Sequence, residues 1–167
     1  MAVMVDRSDD DIDAARAVVL KAGDSPSGDA WRLEFQEVGG EQCLALIVND
    51  AEVEAGCGFG VPEITEIGFG GGLKPGRGSY YIYGITTARI AMIVAESPGA
   101  DSEVQTEALS YGGRMDRLGR RFFTVIRDPV ENVTALVGLD ANRQVVQRIK
   151  LITPDMVSRP LESPDER

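Results

Sequence analysis

The two cysteines, Cys43 and Cys57, are the residues whose type and spacing most directly suggest chemistry. A redox or zinc pair would need a CxxC spacing or a histidine partner, and the 167-residue chain contains no histidine. A structural disulfide is the favoured interpretation, with two separate buried thiols as the alternative. Closing a loop of about 15 residues stabilises a fold by about 3 kcal/mol in the chain-entropy model. The bond would require Cα atoms about 4.4–6.8 Å apart and an oxidising compartment, so it predicts an extracytoplasmic protein, secreted or anchored.

Four arginines, Arg114, Arg117, Arg120 and Arg121, form the one basic cluster of a strongly acidic chain. The chain has 17 lysines and arginines against 27 aspartates and glutamates, which gives a net charge of −10. This excess disfavours nucleic acid and anionic membrane surfaces as partners, because both attract basic proteins. The cluster is therefore the candidate interaction surface for an acidic partner, such as a protein or a polyanionic cell-wall polymer.

Carboxylates are the remaining route to catalysis, since the missing histidine removes the usual general base. A glycan hydrolase can work with two carboxylates, and Glu34, Glu96 and Asp140 lie on apolar strands. Each also occupies a strand face or end where a solvated residue is expected, so no catalytic residue is predicted. The favoured function is a non-enzymatic interaction or sensory module. A carboxylate-based glycan hydrolase and a structural subunit that self-assembles through edge strands are the alternatives.

Other motifs predict no cofactor and no metal. The glycine-rich residues 68–79 (GFGGGLKPGRGS) match neither phosphate-binding glycine pattern, so we expect no nucleotide there. The aspartates near the start of the chain lack the calcium-loop spacing. Ser79, Tyr80, Tyr81 and Tyr83 could line a sugar-binding surface, although alternate tyrosines in a strand are usually half-buried packing.

Two apolar runs, residues 85–95 and 122–139, organise the chain and are typical of buried strands. About nine short strands, separated by turn signals and without a convincing helix, predict an all-β antiparallel sandwich of the Ig-like kind. A partly open β-barrel is the alternative. We expect a flexible acidic arm over residues 1–15, a single domain over 16–152 and a disordered tail over 153–167.

The first predicted hairpin joins residues 31–37 to residues 43–49 through a Gly39-Gly40 turn. Residues 55–79, which hold many of the 19 glycines, are predicted to form a long, mobile surface excursion that could carry a binding function. Asn142 is the predicted left-handed residue of the last turn. Further strands are predicted over residues 17–22, 64–69, 80–86, 88–96, 103–108, 122–127, 132–139 and 145–151. The predicted core comprises Trp31, Leu33, Phe35, Ala45, Ile47, Ile90, Met92, Val94, Phe123, Val125, Ala135 and Val137.

Several of these motifs follow one another in a familiar order. A tryptophan strand (DAWRLEF) precedes Cys43, and the glycine-flanked Cys57 precedes a YIYG strand, a late phenylalanine strand and a hairpin around Leu-Asp-Ala. Over residues 18–149 the chain resembles the small extracytoplasmic β-sandwich domains of uncharacterised actinobacterial secreted or membrane-anchored proteins. Such domains usually carry a signal peptide or anchor, and glycine where this chain has Asn142. The resemblance implies a fold and an extracytoplasmic compartment, and it implies no activity.

Overall fold

The structure, a computed structural model, describes residues 16–73, 78–127 and 133–151. The predicted arm and tail lie outside the described residues. In chain order the strands are β1 (Val18–Asp24), β2 (Ala30–Val38), β3 (Glu41–Val48), β4 (Ala51–Cys57), β5 (Ile67–Leu73), β6 (Tyr80–Thr86), β7 (Met92–Glu96), β8 (Ser102–Gln105), β9 (Glu107–Ala108), β10 (Ser110–Tyr111), β11 (Arg114–Met115), β12 (Arg121–Arg127), β13 (Ala135–Leu139) and β14 (Val145–Lys150).

These strands form three four-stranded sheets and one two-stranded hairpin. Every pairing is antiparallel, and none of the sheets closes into a barrel. The predicted all-β antiparallel sandwich is therefore confirmed, and the described residues do not adopt the barrel alternative.

The first sheet is a meander in the order β1-β2-β3-β4. Trp31, Leu33 and Phe35 alternate along β2 and are buried, as predicted. The predicted Gly39-Gly40 turn joins β2 to β3 with φ angles of 58° and 82°. Two successive positive φ angles are what a two-residue hairpin turn of the primed type requires, and glycine adopts them without steric cost.

The phase of β3 differs from the prediction. Leu44 and Leu46 are the inward residues, whereas the predicted Ala45 is half-buried on the outer face. The cause is the strand register, in which Phe35 of β2 lies directly opposite Leu44 and so shares its face. Ile47 also lies on the outer face, yet it is buried as predicted.

The central sheet, in the order β5-β6-β12-β9, is covered on both faces. Tyr81, Tyr83 and Ile85 of β6 pack into the core shared with the first sheet. Ile82, which points the other way, packs into the core shared with the third sheet. Strand β6 can therefore be apolar on both faces, because neither face meets water.

This burial corrects the sugar-binding interpretation of the tyrosine strand. Ser79, Tyr81 and Tyr83 are each no more than 1% exposed, and Tyr80 is half-buried. Three of the four residues are thus buried and the fourth is half-buried, so together they do not line an open surface.

The third sheet has the order β14-β13-β7-β8. The single edge strand predicted over residues 103–108 is divided at Thr106, so that β8 belongs to the third sheet and β9 to the central one. The buried Thr106 hydroxyl donates to the carbonyl of Ile90 at 2.8 Å and accepts a hydrogen bond from Arg121 Nε at 2.7 Å. These bonds satisfy polar groups at the point where the chain changes sheets.

The phase of β7 also differs from the prediction, because Ile93 and Ala95 are fully buried while Met92 and Val94 are half-buried. In the last turn Arg143, with φ 61°, takes the left-handed conformation predicted for Asn142. Apart from Ala45, Met92 and Val94, the predicted core residues are all buried.

The predicted mobile excursion over residues 55–79 contains more strand than expected in the part that the structure describes. It contains the end of β4 and the whole of β5, which pairs with β6 along seven residues. The β5 glycines permit close packing. A Cβ on Gly71, whose φ is 111°, would lie 2.1 Å from the carbonyl oxygen of Tyr81.

Candidate functional site

The predicted disulfide joins Cys43 of β3 to Cys57 of β4. Their Cα atoms are 4.1 Å apart, slightly closer than the predicted range. The two residues lie directly opposite each other. The neighbouring Gly58 N–H donates to Gln42 O at 3.1 Å, which makes the cysteines a non-hydrogen-bonded pair, the closer kind in an antiparallel ladder. The disulfide therefore ties together two strand ends on the outer face, where Cys57 is exposed.

The buried carboxylate of Asp116 anchors the loop that contains the predicted arginine cluster. The side chain of Asp116 is 1% exposed. Its Oδ2 accepts hydrogen bonds from the backbone N–H groups of Leu118 and Arg120, at 3.2 and 2.9 Å. The Arg120 guanidinium donates to both carboxylate oxygens at 2.9 Å, and Gln42 Nε2 donates to Oδ1 at 3.0 Å. Five hydrogen bonds thus fix residues 116–120 around one charge.

This ion pair also connects the loop to the disulfide-linked strands. Gln42 adjoins Cys43 in β3, and Arg120 Nη1 donates to the carbonyl of Val61 at 3.1 Å. Burial alone would raise the pKa of Asp116, but the hydrogen bonds and charge of Arg120 outweigh it and hold that pKa below its usual value. The pKa of Arg120 is raised, chiefly by its hydrogen bonds to Asp116.

A cavity of about 450 Å³ opens between these segments at one end of the first and central sheets, and we call it the end cavity. The chain neighbour of each cysteine contributes to the wall of the cavity, since Gln42 precedes Cys43 and Gly58 follows Cys57, and both residues line it. Its charged and aromatic lining residues are Glu37, Glu41, Glu63, Asp116, Arg117, Arg120, Phe59 and Tyr111. Four carboxylates against two guanidinium groups give the wall a net negative charge.

Tyr111 forms an aromatic part of this wall. Its ring stacks on the buried Phe35, with ring centroids 4.5 Å apart and an interplanar angle of 28°. Burial raises the pKa of Tyr111, and the negative charges of Glu37 and Asp116 raise it further. Two carboxylates thus lie close enough to Tyr111 to act on its pKa.

The structure divides the predicted arginine cluster. Arg120 is held by Asp116, and Arg121 donates to Thr106 Oγ1 at 2.7 Å and Thr106 O at 2.8 Å. Arg114 and Arg117 are exposed, and neither forms an ion pair within the described ranges. Arg117 and Arg120 line the end cavity, whereas Arg121 lines a separate groove between β1 and β9. The prediction of an interaction surface on these four residues stays a prediction.

The three candidate catalytic carboxylates do not meet. Glu34, in the first sheet, pairs with Arg32 at 3.2 Å, and Glu96, in the third sheet, pairs with Arg148 at 2.5 Å. Asp140 accepts backbone hydrogen bonds within the last turn. Because Glu96 faces the first residue of β13 and Asp140 follows its last, the two are separated by roughly the length of a strand, about 17 Å.

Sequence reasoning did not find Asp116, Gln42 or Tyr111 as site residues. One usable signal was available: Asp116 and Gly119 occupy the first and fourth positions of a possible β-turn, where aspartate and glycine are favoured. The contacts to Gln42 and Val61 connect residues 59 or more positions apart, and no local pattern reveals them.

Comparison with protein-family models, curated proteins and solved structures found no match to this chain. In the part of the chain that the structure describes, no helix has the length and hydropathy that crossing a membrane requires. Residues 16–73, 78–127 and 133–151 also contain no group of three or more histidine, cysteine, aspartate or glutamate side chains placed to hold a metal ion.

Proposed function

We propose that this protein is a non-enzymatic binding module of an extracytoplasmic compartment and that the end cavity is its recognition site. The observation that carries the proposal is the convergence of the disulfide and the Asp116–Arg120 ion pair on one cavity. A wall held by a covalent bond and a buried ion pair is preorganised, and preorganisation lowers the entropic cost of binding.

The compartment is proposed from the disulfide. A disulfide between Cys43 and Cys57 suggests an oxidising environment, because disulfides persist outside the cytosol and are rare within it. Both cysteines of the chain are used in this bond, so no free thiol is present. The resemblance to actinobacterial extracytoplasmic domains agrees with this proposal.

A binding role is favoured over catalysis by the arrangement of the ionisable groups. Asp116, the most buried carboxylate of the end cavity, is occupied by five hydrogen bonds and has a lowered pKa, which suits a structural anion rather than a general acid. Glu34, Glu96 and Asp140 lie in three separate places, so they do not form the carboxylate pair that glycan hydrolysis needs.

The binding proposal is tested by two-dimensional ¹H–¹⁵N NMR on the oxidised full chain. Three probes represent the candidate partners: a blocked lysine-containing peptide, inorganic polyphosphate and chitotetraose. We expect at least one probe to shift the amides of Gly58, Gly60 and Leu118 saturably, while the amide of Gly138, in β13, stays unchanged. The absence of saturable shifts with all three probes would contradict recognition at the end cavity.

The compartment is tested separately by fractionating the native cells and blocking thiols at the moment of lysis. We expect the protein outside the cytoplasm, with a mass showing no alkylated cysteine. Recovery of doubly alkylated protein from the cytoplasm would overturn the extracytoplasmic assignment.

A further inference from the structure

We infer that the end cavity receives a cationic side chain, lysine or arginine, presented by a partner polypeptide with apolar flanking residues; this inference rests on the proposed function. Asp116, Arg120 and Gln42 satisfy one another, so none of them is available to an incoming ligand. Recognition must use the other charged groups of the wall.

Those other groups are three carboxylates and one cation. Glu37, Glu41 and Glu63 line the end cavity and form no ion pair with any cation of the described chain. Arg117 is the one cationic side chain that lines the cavity without such a partner there. The available charge is therefore negative, and it complements a cation.

Aromatic side chains support the same ligand class. Phe59 and Tyr111 line the end cavity, and both are half-buried, so part of each ring is accessible. An ammonium or guanidinium group is attracted to the face of an aromatic ring and to carboxylates alike. An anionic polymer gains nothing from either feature, and it would meet repulsion from the three glutamates.

The rim of the end cavity favours a polypeptide over a free amine. Leu118 lines the cavity and is 54% exposed. Ile64 is 89% exposed, and its side chain lies 3.3 Å from the position that a Cβ on Gly60 would take. Exposed apolar side chains at this rim offer a contact surface to apolar residues that flank a charged anchor.

The test uses the oxidised full chain and the blocked peptide acetyl-Gly-Leu-Lys-Leu-Gly-amide. Its control has norleucine in place of lysine, which keeps the aliphatic stem and removes the charge. We expect the lysine peptide, and not the norleucine peptide, to shift the amides of Gly58, Gly60 and Leu118 saturably. Raising the salt concentration from about 0.05 M to about 0.5 M should weaken the binding, because exposed ion pairs are screened.

Two variants and a matched control identify the surface. Glu37→Gln/Glu63→Gln should weaken peptide binding roughly tenfold, as expected for two partly exposed ion pairs. Glu52→Gln, which removes an exposed carboxylate of β4 that does not line the end cavity, should leave the affinity unchanged. Leu118→Ser should weaken binding of the peptide but not of spermidine. Thermal unfolding and intact mass verify that each variant is folded and oxidised.

Each remaining outcome overturns a specific claim. Equal binding of the norleucine peptide, or polyphosphate binding at the end cavity in place of the lysine peptide, rejects the cationic ligand while the proposed function stands. Spermidine binding as tightly as the peptide rejects the polypeptide source. If no probe shifts the end-cavity amides of the folded protein, both the inference and the proposed recognition site fail.

Discussion

Asp116 is the residue on which the wall of the end cavity depends. Its carboxylate is almost wholly buried, and it accepts hydrogen bonds from the backbone of its own loop, from the Arg120 guanidinium and from the distant Gln42. Removing one partner of a buried ion pair leaves the other charge uncompensated. The role of Asp116 is therefore structural, and it can be measured as stability.

We predict that Asp116→Asn lowers the free energy of unfolding by about 3 kcal/mol at neutral pH, because Arg120 loses its counter-ion in a largely buried site. The lowered pKa of Asp116 also sets a pH dependence. Its stabilisation is present above the unfolded pKa of about 4 and is lost as the pH falls through the lower folded value. Urea unfolding at several pH values measures both effects.

The control for this variant is Glu107→Gln, which removes an exposed ion pair to Lys21. Both partners of that pair are more than 40% exposed, so we expect a change of at most about 1 kcal/mol. Equal losses in the two variants would contradict the structural role of Asp116.

Gly84 allows two strands and a phenylalanine to approach closely. A Cβ at this position in β6 would lie 2.0 Å from Gly68 O and 2.8 Å from Phe123 Cε1. We predict that Gly84→Ala destabilises the protein by about 2 kcal/mol or more, since the packed core cannot absorb the added methyl group. At Gly56 in β4 the nearest atom to an added Cβ is 3.5 Å away, so Gly56→Ala should be tolerated. Thermal unfolding of the two variants compares them, and similar midpoints would refute the packing argument.

At the scale of elements, the disulfide fixes β4 as the outermost strand of the first sheet. We predict that Cys43→Ala/Cys57→Ala lowers the free energy of unfolding by about 3 kcal/mol. Hydrogen exchange should accelerate in β4 and at Gly58 far more than in β6 or β12, because those central strands are paired on both sides. Uniform acceleration across all three strands would show that the bond does not act locally on β4.

The first hairpin could be predicted from the sequence because each of its signals agrees with the others. Polar residues alternate with Trp31, Leu33 and Phe35, and Gly39-Gly40 supplies a turn that few other residue pairs could form. The phases of β3 and β7 could not be predicted, since strands apolar on both faces contain no alternation to set them.

Strand β4 was missed because its sequence, AEVEAGC, combines glutamates and small residues at an exposed edge. Strand β5 was given as a short strand within a mobile segment, because glycine usually signals a loop. In this fold the glycines instead admit the backbone of β6 and the ring of Tyr83. Only the tertiary partner distinguishes these two uses of glycine.

The candidate site was predicted in part. The disulfide followed from the cysteine count and from the missing histidine, and Arg117 and Arg120 of the predicted cluster do line the end cavity. Arg120 and Asp116 are held in place by contacts to Gln42, in β3, and to the carbonyl of Val61, both distant along the chain. A charge cluster read along the chain does not reveal which of its members are already neutralised.

At the scale of the whole molecule, the three sheets bury two of the four tyrosines, Tyr81 and Tyr83, and half-bury Tyr80 and Tyr111. Burial raises the pKa of Tyr83, and the charges of Glu54 and Glu52 raise it further. Burial also raises the pKa values of Tyr80 and Tyr111. The folded state therefore keeps these protons at a pH where the unfolded chain releases them.

We predict that stability falls as the pH rises above about 10, the ordinary tyrosine pKa, because only the unfolded state then ionises. Absorbance at 295 nm should rise together with the loss of near-ultraviolet circular dichroism. Tyr83→Phe should make the decline in stability shallower. Ionisation of these tyrosines near pH 10 in protein that keeps its native circular dichroism would contradict the predicted shifts.

The central sheet has a consequence for how the chain folds. Strands β1 to β4 pair with their neighbours in sequence, so the first sheet can form as soon as residue 57 has been synthesised. The inner face of the first sheet is covered by the central sheet. That sheet is complete only when β12 pairs with β6, which lies some forty positions earlier. Until residue 127 arrives, that layer lacks β12, and Trp31 and its neighbours are covered only by the hairpin of β5 and β6. Long-range pairing of this kind slows folding and prolongs exposure of apolar surface. We therefore expect the nascent chain to expose part of this apolar surface until β12 has been synthesised.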